Sequence, residues 1–225
     1  MIEIMSLASS SLGNCYYLTD GSTPLLLECG INFKDIRRKL NFRTSEIAAC
    51  LVTHEHQDHC SAIRDVIRAG IDVYASLGTI SEVVEGFNIQ SHRIKRIEAH
   101  RPFTVGTWRI LPFETQHNAV EPLGFLLASR TGAKVLFVTD TYYIRYKFTG
   151  LTHIMIECNY SKDILEQNVR NGEVPIPVKR KLLKAHFSLD NVKAFFRAND
   201  LSRVQEIWLI HMSNKNADAE RFKRE

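Results

Sequence analysis

No Cys-x-x-Cys pair occurs among the five cysteines of this 225-residue chain, Cys15, Cys29, Cys50, Cys60 and Cys158. An odd number without that spacing argues against a disulfide framework and against a zinc site built on cysteine. Buried thiols in a reducing compartment are the plain expectation. No apolar run approaches the length that spans a membrane, and the N-terminus lacks a basic stretch followed by an apolar one. The expectation is therefore a cytoplasmic protein with no membrane partner. Repeats and low-complexity tracts are also missing. Charge is nearly balanced, at +4, which fits an anionic substrate without requiring one. A hydrophobic content of 44% and a charged content of 24% are ordinary for a globular chain. The length suits one domain over residues 1–225 with a full core.

Against these absences, one stretch is dense in chemistry. Thr53-His54-Glu55-His56-Gln57-Asp58-His59 follows the apolar run Ala48 to Val52. Imidazole and carboxylate both suit borderline transition metals. If the strand continues through the motif, His54 and His56 point to the same face. A loop at the strand end then turns Asp58 and His59 toward a neighbouring point. One segment thereby offers two ligands to each of two adjacent metals. This H-x-H-x-D-H pattern resembles the signature of the metallo-β-lactamase superfamily.

Elsewhere the chain alternates strand and helix patterns. Ile2 to Leu7, Cys15 to Thr19 and Leu25 to Leu27 read as strands, joined by the hydroxyl-rich turn Ser9-Ser10-Ser11-Leu12-Gly13-Asn14. That turn reads equally as a plain hairpin loop or as a cradle for phosphate oxygens, with Ser10, Ser11 and Asn14 as contacts. Asn32 is placed to cap a helix whose face is Phe33, Ile36 and Leu40. Helices are expected over 62–69, 77–85, 164–171, 179–184 and 189–197. Strands are expected over 47–52, 72–75, 108–113, 124–128, 135–139, 154–156 and 206–210, followed by a polar tail. Strands and helices alternating in two halves suggest two sheets face to face with helices outside.

Two metals sharing one hydroxide need more ligands than the motif supplies. Three further candidates sit at strand ends: His117 after 108–113, Asp140 after 135–139 and His211 after 206–210. His117 would complete the set of His54 and His56. His211 would complete that of Asp58 and His59, and Asp140 would bridge the two metals.

The stretches Ser9 to Asn14, His117-Asn118-Ala119-Val120-Glu121-Pro122-Leu123-Gly124, Glu157-Cys158-Asn159, Lys179-Arg180-Lys181 and Ala185-His186-Phe187-Ser188 are similar to the YycJ (WalJ) type of metallo-β-lactamase-fold protein. The order of motifs is shared more distantly by RNase Z. The resemblance implies an α/β four-layer αβ/βα sandwich with its site at the edge between the sheets. It also implies two divalent metals, Zn2+ or Mn2+, and a DNA exonuclease activity. From the RNase Z-like branch it implies that His186 protonates the leaving oxygen and that Glu157 orients His186. One position departs from the family: Glu28 stands where an Asp is usual, one methylene longer, beside the metal loop.

The function expected from this is a binuclear-metal phosphodiesterase acting on nucleic acid, most simply DNA. A metal-bridging hydroxide oriented by Asp58 attacks phosphorus, and His186 donates the proton. Lys179, Arg180 and Lys181 read either as phosphate contacts or as a solvated helix face. Two alternatives remain: a hydrolase of a small cyclic or modified nucleotide, and a metal-containing scaffold that binds nucleic acid or protein without cutting.

Overall fold

The computed structural model describes residues 1–89 and 91–225. These residues form two compact units, Met1–Glu114 with Ala119–Ala133, and Thr115–Asn118 with Lys134–Glu225.

The first unit opens with an antiparallel hairpin, β1 (Glu3–Ser10) and β2 (Gly13–Thr19). Ser10 pairs with Gly13, so the hydroxyl-rich stretch is a tight two-residue turn. Next come β3 (Leu25–Leu27), α1 (Phe33–Lys39) and β4 (Ala49–Leu51). Asn32 caps α1 as expected, its Oδ1 accepting from the Lys34 amide at 2.9 Å. β3 and β4 pair in parallel and every residue of both is buried, the pattern of strands covered on two faces. Then follow α2 (Gln57–Cys60), α3 (Ile63–Arg68), β5 (Asp72–Ala75), α4 (Leu77–Phe87) and β6 (Ile94–Arg96). The core beneath them gathers Leu26, Cys50, Val52, Val66 and Val73, with Cys15, Cys29 and Cys60 as small buried apolar groups. Burial pushes the Cys15 and Cys60 thiols well up.

β7 (Phe103–Val105), β8 (Trp108–Glu114) and β9 (Leu123–Ser129) form an antiparallel meander in the same unit. A polar knot holds its turn. Trp108 is buried and donates Nε1–H to the Thr23 carbonyl at 2.9 Å. Asp20 accepts from the Ser22 and Thr23 amides, each at 3.0 Å, and from the Ser129 hydroxyl at 2.6 Å.

The second unit has three parallel strands, β10 (Lys134–Val138), β11 (His153–Glu157) and β12 (Glu206–Ile210), with β11 in the middle. Its helices are α5 (Lys162–Arg170), α6 (Ile176–Ala185), α7 (Leu189–Ala198) and α8 (Ala219–Arg224). Val138 pairs with Ile156, and Glu157 with Ile210. The register therefore brings the carboxyl ends of all three strands to one level. That edge is where parallel sheets place their ligands.

The described strands make two sheets, β1 to β6 and β7 to β12, flanked by helices, which is the mixed α/β class expected. Local differences are instructive. β4 stops at Leu51, so His54 and His56 lie in a loop rather than on a strand. Opposite this point Glu28 takes a left-handed φ of +66°, its amide still donating to the Leu51 carbonyl while its carboxylate accepts from the Thr53 amide. Asp58 and His59 lie on the short helix α2, not in a loop. α6 starts at Ile176 rather than Lys179, because Pro177 sits in a first turn that does not need its missing N–H. The expected polar tail contains α8, capped by Asp218 and anchored by the buried Phe222.

Candidate metal and catalytic centre

In the first unit the motif loop is braced from behind by backbone. The Cys29 amide donates to the His59 carbonyl at 2.8 Å, and the Gly30 amide to the Asn14 carbonyl at 2.8 Å. A Cβ on Gly30 would lie 1.7 Å from the Asp58 carbonyl oxygen, so only glycine permits this approach. His54 and His59 are buried, and Asp58 is half-buried. The ring nitrogens His54 Nε2 and His56 Nδ1 are 3.0 Å apart, and His59 Nε2 is 3.3 Å from Asp58 Oδ2. Thr53 Oγ1 lies 2.8 Å from His54 Nδ1, which leaves Nε2 as the outward atom. Glu28 is fully buried: its Oε2 accepts from the Thr53 amide at 3.3 Å, and its Oε1 lies 3.5 Å from His59 Nδ1. Glu28 therefore faces the back of the His59 ring and turns the opposite nitrogen outward.

The second unit collects His117, Asp140, Glu157, His186 and His211. Asp140 follows β10, Glu157 ends β11 and His211 follows β12. Asp140 and His211 both have left-handed backbone, φ +48° and φ +52°. Asp140 Oδ1 is 3.1 Å from His211 Nδ1, and Asp140 Oδ2 is 3.3 Å from His117 Nε2. His117 Nδ1 is 2.9 Å from the Ala185 carbonyl, which fixes it as the protonated nitrogen and leaves Nε2 for a ligand. The loop carrying His117 is tied to that carrying Asp140, because the Gln116 amide donates to Thr141 Oγ1 at 2.9 Å.

Glu157 is the hub. Its Oε1 lies 2.6 Å from His186 Nδ1 and 2.9 Å from His211 Nδ1. Its Oε2 accepts from the Thr141 and Phe187 amides, each at 3.1 Å. Burial raises the Glu157 carboxyl, but the charge and hydrogen bond of His186, with that of His211, outweigh it and leave the group lowered. Burial opposes the His186 cation, yet Glu157 and Asp140 reverse this and raise it. The pairing favours an ionised carboxylate accepting Nδ1–H of the imidazole and leaves Nε2 as the ring's other nitrogen for proton donation. His117 goes the other way: burial lowers it, and it stays neutral, as a ligand must.

Donor atoms of Asp140, Glu157, His186 and His211 all lie within 4.8 Å of one another, a spacing a metal could use. Imidazole nitrogens and carboxylate oxygens are the donor types that suit a divalent transition metal.

The expected substrate residues are scattered differently. Ser11 is exposed at the hairpin turn, while Ser10 Oγ accepts from the Leu12 amide. Asn14 is buried, its Nδ2 lying 3.3 Å from the Asp58 carbonyl and 3.4 Å from His59 Nε2. It braces the metal loop instead of facing solvent. Lys179 pairs with Glu166 on α5, and Arg180 and Lys181 are exposed on α6. Sequence reasoning gave Gly30 only the role of permitting a sharp turn and did not single out Thr141. Asn159 also escaped it, although its amide donates to the His211 carbonyl at 2.9 Å. The signal for Asn159 was its place one residue past the Glu157-Cys158 strand end.

The fold and these donor sets define a metal-dependent hydrolase. The model of the Beta-lactamase superfamily domain family matches residues 23–212, and the chain belongs to that family. It is 29% identical to exodeoxyribonuclease WalJ of Streptococcus pneumoniae, over 93% of this chain and 81% of that protein. It is 26% identical to exodeoxyribonuclease YycJ of Bacillus anthracis, over 93% of this chain and 82% of that protein. Among solved structures, a diphosphatase from the PhnP family superposes with a TM-score of 0.72 at 16% identity, covering 100% of this chain and 92% of that one. No helix among the described residues is long and apolar enough to cross a membrane.

Proposed function

We propose that the chain works as one domain and is a two-metal phosphodiesterase that degrades DNA from an end. The observation that carries this is the Glu157–His186 pair beside Asp140 and His211. Phosphodiester cleavage expels an alkoxide of high pKa, so a positioned general acid is worth about 10²–10⁴-fold. A thiolate or a stabilised leaving group has no such need. The activity for which the relatives are named, exodeoxyribonuclease, is the same chemistry.

In this reading His54, His56 and His117 hold one divalent ion, Asp58, His59 and His211 hold the other, and Asp140 serves both. Zinc or manganese bound there supplies Lewis-acid activation of water and neutralises charge developing on phosphate. Asp58 orients the attacking water through its carboxylate. His186 gives its Nε2 proton to the leaving oxygen, and Glu157 keeps Nδ1 protonated meanwhile. Glu28 and Asn14 hold the motif loop, so that its ligands need no rearrangement.

The test is cleavage of end-labelled single-stranded DNA by protein reloaded with manganese or zinc, beside an Asp140→Ala control. Stepwise release of mononucleotides, lost in the control, is expected. No cleavage with two ions bound per chain would refute the nuclease reading and favour a small phosphodiester.

A further inference from the structure

A cavity of about 510 Å³ opens in the second unit, and the mechanism above does not use it. Tyr142, Tyr143, Arg145, Lys147, Phe187 and Phe195 are among the residues that line it. Tyr142 and Tyr143 are 42% and 57% exposed, unusual for two adjacent large rings. No acidic residue lines the cavity, and neither Arg145 nor Lys147 is ion-paired among the described residues. The walls are held by hydrogen bonds. Asn191 Nδ2 donates to the Tyr142 carbonyl at 3.1 Å, and Thr141 Oγ1 donates to the Tyr143 carbonyl at 2.8 Å. Asn199 Oδ1 accepts from the Phe148 amide at 2.8 Å, and its Nδ2 donates to the Phe195 carbonyl at 2.8 Å.

Residues that line the cavity adjoin catalytic residues along the chain. Phe187 directly follows His186, and Tyr142 stands two residues after Asp140, at most about 7 Å of backbone. Rings beside unpaired cations, within one short step of a phosphate-cleaving centre, match the two chemical features of a nucleotide: a π-face and a phosphate. The amides in the walls are occupied by backbone, so little remains to read a base edge.

We infer that this cavity receives the terminal base of a single nucleic-acid strand, stacked on Tyr143 and Tyr142, while Arg145 and Lys147 hold the adjoining phosphates. The inference rests on the phosphodiesterase reading and gives it a substrate form: a frayed or single-stranded end, accepted with little base preference.

The test is a titration of the metal-loaded full chain into phosphorothioate oligonucleotides, which resist hydrolysis, with 2-aminopurine at the 5′ or the 3′ terminal position. Stacking quenches 2-aminopurine. Quenching is expected at one end. Tyr143→Ala should weaken binding roughly tenfold or more and remove the quench, whereas Tyr143→Phe should retain both. Replacing Arg145 and Lys147 together by Ala should flatten the slope of log Kd against log salt by about 1–2. A terminal abasic nucleotide needs no altered protein: it should bind the wild type as weakly as an intact end binds Tyr143→Ala. Equal binding of abasic and intact ends by the wild type overturns the inference. A chain that cuts DNA but quenches neither end also overturns it alone. A chain that quenches a terminal base yet cuts no DNA leaves the cavity assigned and overturns only the nuclease reading.

Discussion

Glu157→Gln separates proton transfer from metal binding. Glutamine keeps the shape of the side chain but replaces one acceptor oxygen by a donor. Of the four donors around Glu157, the Thr141 and Phe187 amides can only donate, so the glutamine oxygen must face them. Its NH2 group then meets His186 Nδ1, which must become an acceptor, while His211 Nδ1–H keeps Asp140 Oδ1, 3.1 Å away, as its acceptor and leaves Nε2 for a metal. His186 loses its main charge partner, only Asp140 is left to oppose burial of the cation, and Nδ1 carries no proton. The general acid is disabled while the Nε2 atoms of both rings keep their positions. On an oligonucleotide, kcat should fall about 100-fold, close to 2.7 kcal/mol of barrier. On a p-nitrophenyl phosphodiester, whose leaving group needs no proton, the fall should stay below about tenfold. Initial rates on both substrates, at metal content verified by elemental analysis, supply the comparison. Equal losses on the two substrates would refute the argument and make Glu157 a support for the ligands alone.

Other perturbations probe the scaffold. Gly30→Ala drives a methyl group into the Asp58 carbonyl, 1.7 Å away, and should lower both melting temperature and the metal retained after dialysis; full retention would refute the close-approach argument. Glu28→Asp shortens the reach by one methylene, so the carboxylate keeps either the Thr53 amide or His59 but not both, and metal affinity should weaken about tenfold in a competition titration. Asp20 is 4% exposed; burial alone would raise its carboxyl, but its hydrogen bonds from Ser129, Thr107, Thr23 and Ser22 hold it at about 2 against an ordinary 3.8. A pKa depressed in the folded state stabilises above pH ~4, and this is lost as pH falls toward 2, so Asp20→Asn should cost about 2 kcal/mol in urea melts at pH 7 and progressively less below pH 4.

The H-x-H-x-D-H segment and the three strand-end residues were legible in the sequence because both depend on local order. Ligand types repeat at fixed spacing, and β10 and β12 announce themselves as apolar runs that stop at Asp140 and His211. The helix faces followed from periodicity, as the Asn32 cap and the buried Ile36 show. What escaped was set by distant contacts. Nothing near Asn14 in the chain says that its amide meets Asp58 and His59, and the turn around it invites a substrate role instead. Gly30 looks like any turn glycine until the Asp58 carbonyl arrives against it from 28 residues away. The cavity beside His186 is built from an irregular segment, 142–147, whose rings have no period to betray them.

The two glutamates share one design, and it accounts for the strained backbone around them. Glu28, Asp140 and His211 all have left-handed φ without being glycine, a conformation that costs roughly 1–2 kcal/mol each. Glycine would relieve the strain at each position and remove the side chain the site needs. In each unit a buried carboxylate, whose two oxygens have different tasks, opposes the strain. Glu28 gives Oε2 to the Thr53 amide and turns Oε1 to His59; Glu157 gives Oε2 to the Thr141 amide and Oε1 to His186 and His211. One oxygen fixes the backbone just past a strand end, and the other faces the imidazoles. Because both oxygens belong to one rigid group, ring orientation is tied to the path of the backbone. A substitution that frees the strand exit must also loosen the rings, so losses of stability and of metal affinity at Glu28 should appear together.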